Sequence, residues 1–284
     1  MSERLKNGIP VFQEKTYKNI AIIAMAICHI VMLLIVPVIK TSTVTSVWAY
    51  VLIWRYTYIM YSPLLFLFMF PVEAFFHTSN RRLYLLRMLV MAIIAELPYD
   101  LATMISRRST IDMKEPVEYL LCNKDLIFKE QNVMFSLALG FMAICAIDKI
   151  RSDISFITPK NVLRQLLYTI TALCVTVIAG YIGHTCRLDH EWWIAVTMVL
   201  FYIFHDHRAL MCIVPSAFIA FCGLYILHNS FFVSCIIGGL CLFFYSGKRG
   251  HITSTGKLFY YWFYPIHLLI IYILQVLMFY GWQY

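Results

Sequence analysis

The chain has 284 residues, of which 61% are hydrophobic and only 13% are charged. Soluble domains carry about 25% charged residues, so this composition excludes a disordered chain, a coiled coil and an ordinary cytosolic enzyme. The mean hydropathy of +0.75 instead predicts a polytopic membrane protein. The net charge of +8 is interpreted as loop charge that sets orientation in the membrane, and nucleic acid is not expected as a partner.

Apolar stretches long enough to cross a bilayer follow one another along the chain. A spanning helix needs about 20 mostly apolar residues, and we predict an all-α bundle of about nine spans that forms one domain over residues 1–284. The predicted spans are 18–39, 56–77, 83–105, 132–150, 162–182, 191–205, 209–227, 230–246 and 258–280. The only long predicted loop covers residues 106–131 and carries charges of both signs.

Lys and Arg are distributed unevenly between the two sides of this arrangement. Fifteen fall on one side and seven on the other, with Arg55 near a membrane boundary. Cytoplasmic loops are enriched in Lys and Arg, so we expect the N-terminus in the cytoplasm and the C-terminus outside. The expected location is therefore the cell membrane, with membrane lipid as a partner.

Two histidines lie inside predicted spans, where an ionisable group is costly and therefore a candidate for function. His29 lies in the first span, and His267 lies in the last, two residues after Pro265. The structural alternative for each is a hydrogen bond to a backbone carbonyl. We expect Pro265 to open the last helix locally and Tyr264 to bring a hydroxyl to the same region, which favours a chemical role.

Five further polar residues mark the second, third and fourth spans. Glu73 and His77 lie one helical turn apart and form either a stabilising ion pair or part of a site. Glu96 and Asp100 lie on either side of a proline, and each has a structural role at a helix interface as its alternative. Asn132 opens the fourth span and has a helix N-cap as its alternative.

Three arginines, Arg81, Arg82 and Arg87, follow the Glu73–His77 turn. They represent either the orientation signal or a binding site for phosphate groups.

The HDHR run at 205–208 is interpreted as a solvated turn rather than a metal cluster. The nine cysteines have no metal-binding spacing, and the motifs of zinc peptidases, serine hydrolases and P-loop proteins are missing, so no metal is predicted.

Four sequence blocks carry a resemblance to a known family. They are VEAFFHTSNRRLYLLR (72–87), AIIAELPYDLA (92–102), NVMFSLALG (132–140) and FYYWFYPIHLL (259–269). In order and spacing the chain resembles the TraX family of integral membrane proteins, whose founding member is linked to N-acetylation of conjugative pilin. That family is similar to wider transmembrane acyltransferases, including the heparan-glucosamine acetyltransferase group. The resemblance implies acyl transfer, with acetyl-CoA as the expected donor.

This hypothesis gives each candidate residue a role. We expect one of His29 and His267 to act as general base and the other to orient it or to polarise the thioester, with Glu73 and His77 shaping the donor entrance. Arg81, Arg82 and Arg87 are expected to bind the donor phosphates, and Glu96, Asp100, Asn132 and Tyr264 to contact the acceptor. The acceptor stays open between a peptide N-terminus, a glycan and a lipid. The alternatives are a transporter or flippase, with helices broken at Pro98 and Pro265, and a non-catalytic membrane assembly factor.

Three positions depart from the family pattern. Cys28 precedes His29 where the family has Asp, and the pair Met60–Tyr61 stands where it has Gly-Arg. Residues 189–191, Asp-His-Glu, stand where it has Asp-Tyr-Gly. These differences indicate a divergent member, with a different acceptor or reduced activity.

Overall fold

The computed structural model describes residues 12–37, 64–104, 129–157, 162–189, 192–222, 231–248, 250–251 and 253–280. Within these ranges the chain forms nine α-helices, one in each predicted span, and no β-strand. The helices are α1 (Glu14–His29), α2 (Leu64–His77), α3 (Arg81–Met104), α4 (Val133–Ile157), α5 (Val162–Thr185), α6 (Trp193–Ile203), α7 (Arg208–Phe221), α8 (Phe231–Leu242) and α9 (Ser254–Tyr280). The predicted all-α architecture is confirmed for this part of the chain.

Four helical segments are long and apolar enough to cross a bilayer. They are Glu14–Ile35, Val133–Ser155, Val162–Thr185 and Leu258–Met278. The helices α2, α6, α7 and α8 contain apolar but shorter segments, and α3 has 24 residues but carries five charges. The chain therefore has the character of a helical membrane protein, while the count of nine crossings stays a prediction.

Several sequence-based expectations fall on parts of the chain outside the described residues. These are most of the 106–131 loop, Arg55, the pair Met60–Tyr61, His190, Glu191 and the C-terminal residues 281–284. The family blocks that carry Glu73, Glu96, Asn132 and His267 all lie within the described ranges.

The third helix packs against both α4 and α9. The helix α4 also contacts α5 and α6, and α7 packs along α8.

Both α3 and α9 continue as helices through Pro98 and Pro265. The broken helices expected for a transporter are therefore not found at these prolines. A proline removes one backbone hydrogen bond, and the packing of α3 on α9 holds both helices continuous.

Asparagine side chains start two of the helices that position the site. Asn80 precedes α3, and its Oδ1 accepts a hydrogen bond of 2.9 Å from the Leu83 amide. Asn132 precedes α4, and its Oδ1 accepts one of 3.0 Å from the Met134 amide. Each side chain satisfies a donor that would otherwise lack a partner in the first helical turn, so the N-cap interpretation of Asn132 is confirmed.

A π-helical segment, Ile30–Ile35, follows α1 directly after His29. Such segments are rare and often occur at functional sites, because the wider turn shifts the side chains around the helix axis. The segment packs against α9, the helix that carries His267. The first helix therefore changes its winding at the residue that faces the last helix.

Candidate active site

The two histidines selected from the sequence meet inside the bundle. His29 is the last residue of α1, and His267 lies near the middle of α9. His29 Nδ1 lies 2.7 Å from His267 Nε2, and the two ring planes are inclined by only 12°. His267 is 8% exposed and His29 is half-buried, so the pair has one side inside the core. The first and last helices thus pack together.

The hydrogen-bond partners assign a proton to each ring. His267 Nδ1 lies 2.8 Å from the Phe263 carbonyl oxygen, which can only accept, so Nδ1 carries the hydrogen. In a neutral His267 the other nitrogen, Nε2, is then an acceptor, and His29 Nδ1 donates to it. A neutral His29 that donates from Nδ1 has its basic lone pair on Nε2. The contact therefore fixes the orientation of the His29 ring through His267.

Tyr264 connects the histidine pair to the start of α4. Its ring centroid lies 5.6 Å from that of His267 and 6.5 Å from that of His29. The side chain is buried, and its hydroxyl interacts with the Val133 backbone amide, near the carboxylates of Glu96 and Asp189. Tyr264 therefore lies between the imidazoles and the start of α4.

Glu96 and Asn132 form a buried hydrogen-bonded pair between α3 and α4. The Asn132 side-chain amide donates to Glu96 Oε2 at 2.5 Å and to the Ala92 carbonyl at 2.8 Å. The Asn132 backbone amide also donates to Glu96 Oε2, at 3.1 Å. Asn132 is 0% exposed, so the pair anchors one helix to the other, and the predicted contact with an acceptor stays a prediction. Asp100 is buried one turn beyond Glu96 on α3.

Glu73 lies between two imidazoles at the other end of the bundle. It is 1% exposed, and its carboxylate oxygens lie 3.4 Å from His77 Nε2 and 3.3 Å from His205 Nε2. The His205 ring is stacked on Phe76, with centroids 3.8 Å apart. His205 thus packs against α2, whereas Asp206 and His207 are exposed, so the interpretation of the 205–208 run as a solvated turn is wrong for His205 alone among these three. The sequence suggested the i,i+4 pair, but the second imidazole comes from a distant turn.

The three predicted phosphate-binding arginines start α3 and project in different directions. Arg81 Nη1 contacts Asp148 Oδ2 at 2.7 Å, and its guanidinium lies 3.7 Å from the centre of the Phe75 ring. Arg82 and Arg87 are exposed. At about 100° per residue, the three side chains are spread around the helix axis rather than gathered at one point. Arg81 therefore has a partner within the protein, whereas Arg82 and Arg87 face outwards.

The arginine end and the histidine end of the bundle are well separated. Arg81 and Glu96 are 15 residues apart on α3, which corresponds to about 22 Å of helix. Asp148, the partner of Arg81, and Asn132, the partner of Glu96, are 16 residues apart on α4, or about 24 Å. The two helices thus give nearly the same separation between the arginine end and the histidine end. One small group cannot contact both ends, whereas an extended molecule can.

Asp189 is the residue near the site that sequence reasoning missed. It lies close to Tyr264, and its backbone amide donates to the Gln131 carbonyl at 2.7 Å. Arg187, two residues earlier, has a positive φ of 52° and turns the chain back towards α4. No pattern in the sequence indicates this pairing of two loops.

Among the described residues, no group of three or more His, Cys, Asp or Glu side chains is placed to hold a metal ion.

Comparison with known proteins gives one match. The model of the family described as TraX protein matches residues 13–275, nearly the whole chain. Among curated proteins and among solved structures, none matches. The matched range includes both histidines, the Glu96–Asn132 pair and the three arginines at the start of α3.

Proposed function

The chain belongs to the TraX family, and from that membership and the contact between His29 and His267 we propose that it is an integral membrane acetyltransferase. Acetyl-CoA on the cytoplasmic side donates its acetyl group to an amine or a hydroxyl. The acceptor is membrane-associated or extracytoplasmic: a peptide N-terminus, a glycan or a lipid. The observation that carries the proposal is the 2.7 Å contact from His29 Nδ1 to His267 Nε2, which leaves the basic lone pair of His29 on Nε2.

The proposed reaction is an acyl transfer with His29 as general base. His29 Nε2 accepts the proton of the acceptor N–H or O–H while that nitrogen or oxygen attacks the acetyl carbonyl carbon. The carbon–sulfur bond then breaks, coenzyme A leaves as a thiolate, and protonated His29 returns the proton to sulfur. General-base assistance of this kind contributes about 10²–10⁴-fold to rate. His267 is a positioning residue, because its Nδ1 hydrogen is held by the Phe263 carbonyl.

The proposed acceptor approaches along the wall that Tyr264 forms with the start of α4. The predicted contact residues Glu96, Asp100 and Asn132 are buried on this side of the bundle. They stay the predicted contacts of a polar acceptor that enters from outside.

The spacing of the two ends supports an acyl-CoA as donor. In acyl-CoA a long flexible pantetheine arm separates the phosphates from the thioester. The arginines at the start of α3 lie about 22 Å of helix from Glu96, at the end of the bundle where Tyr264 adjoins both histidines, and this separation suits such a ligand. Arg82 and Arg87 are exposed and suited to the phosphates, together with Arg81. Glu73 and His77 border the same entrance.

The test is release of coenzyme A by the purified full-length protein, measured by chromatography, with cell-envelope extract as the source of acceptor. We expect His29→Ala to lose about 10²-fold or more in turnover while still binding acetyl-CoA. The control is His251→Ala, since His251 is exposed in the segment before α9. If the wild-type protein releases no more coenzyme A than His29→Ala does, the proposal is contradicted. The transporter and assembly-factor alternatives then stand.

A second measurement distinguishes direct attack from a covalent route. Incubation with acetyl-CoA in the absence of acceptor traps an acetyl-histidine if the enzyme acts by two successive transfers. Intact-protein mass spectrometry then shows one added acetyl group. An unmodified mass together with normal turnover assigns direct attack of the acceptor on the thioester.

A further inference from the structure

A groove of about 610 Å³ lies away from the histidine pair, between α4, α5 and α6. Its lining is mostly apolar, but one end is polar. The lining includes Arg151 and Tyr202 at one end and Gln165, Tyr168, Ala172 and Thr176 along α5. The histidines, by contrast, lie on α1 and α9, so the proposed acyl transfer does not use this groove.

The polar end lies at the arginine end of the bundle. Tyr168 lines the groove there, with the Arg151 guanidinium 5.1 Å from its ring centre. Arg164 does not line the groove but lies beside it: its Nε donates a hydrogen bond of 2.8 Å to the Tyr168 hydroxyl, and its Nη2 donates one of 3.1 Å to the Ser155 carbonyl. The neighbouring carboxylate of Asp148 is held by Arg81 at 2.7 Å and by the Tyr202 hydroxyl at 2.9 Å. The mouth of the groove therefore carries the Arg151 guanidinium, with that of Arg164 next to it, and both suit an anionic group.

The length of the groove matches one leaflet of a bilayer. Along α5 it extends from Gln165 at the polar end to Thr176, a rise of about 16 Å. Half of the hydrocarbon core of a bilayer is about 15 Å thick. At the deep end, the Thr176 hydroxyl donates to the Ala172 carbonyl at 2.6 Å, so this polar group is satisfied within α5. The groove therefore complements an acyl chain with an anionic head group in both length and polarity.

We propose that this groove is a binding site for an anionic phospholipid of the leaflet at the arginine end. The phosphate lies between Arg151 and Arg164, and one acyl chain lies between α5 and α6. The acetyl group of the proposed donor has only two carbons, and its long pantetheine arm carries two amides and a hydroxyl. A mostly apolar groove therefore suits the acyl chain of a lipid better than the proposed donor. The site is independent of the acetyltransferase activity.

The experiment counts bound lipids by native mass spectrometry of the full-length protein. Phosphatidylglycerol and phosphatidylcholine with identical acyl chains are titrated separately. We expect phosphatidylglycerol to bind about tenfold more tightly, because charge-assisted hydrogen bonds from guanidinium to phosphate require an accessible anionic head. Arg151→Gln should remove the preference. Lys149→Gln is the matched control, since Lys149 is exposed on the same helix and does not line the groove.

Filling the deep end tests the acyl-chain part of the site. Thr176→Phe should weaken binding of both lipids, and Ala172→Val gives a smaller obstruction should the first variant unfold. Equal affinity for the two lipids, or an unchanged preference in Arg151→Gln, would overturn the proposal. Displacement of phosphatidylglycerol by a long-chain acyl-CoA would assign the groove to a donor instead. A dimer that Thr176→Phe dissociates would assign it to a second copy of the chain.

Discussion

Gln275 donates a hydrogen bond of 2.8 Å from its side-chain amide to the backbone carbonyl of Leu33. The same amide donates to the Ala102 carbonyl at 3.0 Å, so one fully buried side chain joins α9, the π-helical segment and α3. Leu33 lies four residues beyond His29, and Gln275 lies eight residues beyond His267. This bond therefore fixes the register in which the two imidazoles meet.

Replacing Gln275 tests that register. Gln275→Met keeps the side-chain length but removes the donor, so two buried carbonyls lose a partner. We expect a loss of about 1–3 kcal/mol in the free energy of unfolding. We also expect kcat to fall by about tenfold to a hundredfold, since a small displacement of a catalytic group is costly. The control is Leu274→Met on the exposed side of α9, and an unchanged kcat in Gln275→Met would refute the link.

Glutamine variants separate the roles of the two histidines. In His267→Gln the side-chain oxygen can still accept from His29 Nδ1, so we expect partial activity. In His29→Gln no basic nitrogen is left, and turnover should fall by about 10²–10⁴-fold. Both are compared with wild type by coenzyme A release at saturating acetyl-CoA. The opposite order of activities would make His267 the base.

The arginines at the start of α3 are expected to affect donor binding. Arg82→Gln and Arg87→Gln should raise the KM for acetyl-CoA and leave kcat unchanged, most clearly at low salt. Arg81→Gln should also lower stability, by at most about 1 kcal/mol, because its ion pair with Asp148 is about 40% exposed on each side. Lower turnover at saturating donor, with donor affinity intact, would argue against this role.

Asn132 and Asn80 offer a matched pair of helix caps. Both cap a helix, but Asn132 is buried against Glu96 while Asn80 is exposed. Asn80→Ala should cost about 1 kcal/mol, which is typical of a lost cap. Asn132→Ala should cost more, because it also leaves a buried carboxylate with one hydrogen bond fewer. Thermal unfolding in detergent measures both, and equal losses would mean that the Glu96 contact adds nothing.

Labelling of the Cys186 thiol reports the orientation of the chain in the membrane. It is an exposed free thiol just beyond the end of α5, next to the loop that pairs with Gln131. The uneven distribution of Lys and Arg predicts that this end faces outwards. A membrane-impermeant maleimide should therefore label Cys186 in intact cells, with Cys186→Ser as the control. Labelling only after permeabilisation would reverse the proposed sidedness of the donor.

The sequence predicted the helices well because hydrophobic stretches alone determine them. It also selected His29 and His267, since an imidazole is conspicuous in an apolar stretch. It did not show that the Phe263 carbonyl sets the tautomer of His267, or that His205 faces Glu73. Those contacts depend on rotation of each helix about its axis, which the strongly apolar stretches do not define. Asp189 was not selected as a site residue for a similar reason. Its position near Tyr264 depends on a backbone pairing between two loops.

The histidine contact joins positions 238 residues apart, on the first and last helices described. During synthesis the ribosome releases α1 long before α9 exists. Until then His29 and the Leu33 carbonyl have neither His267 nor Gln275 to contact. Among the described helices, the histidine contact is therefore the last that can form during synthesis. If the proposed function holds, a nascent or truncated chain that ends before α9 has no acetyltransferase activity, however well its earlier helices insert.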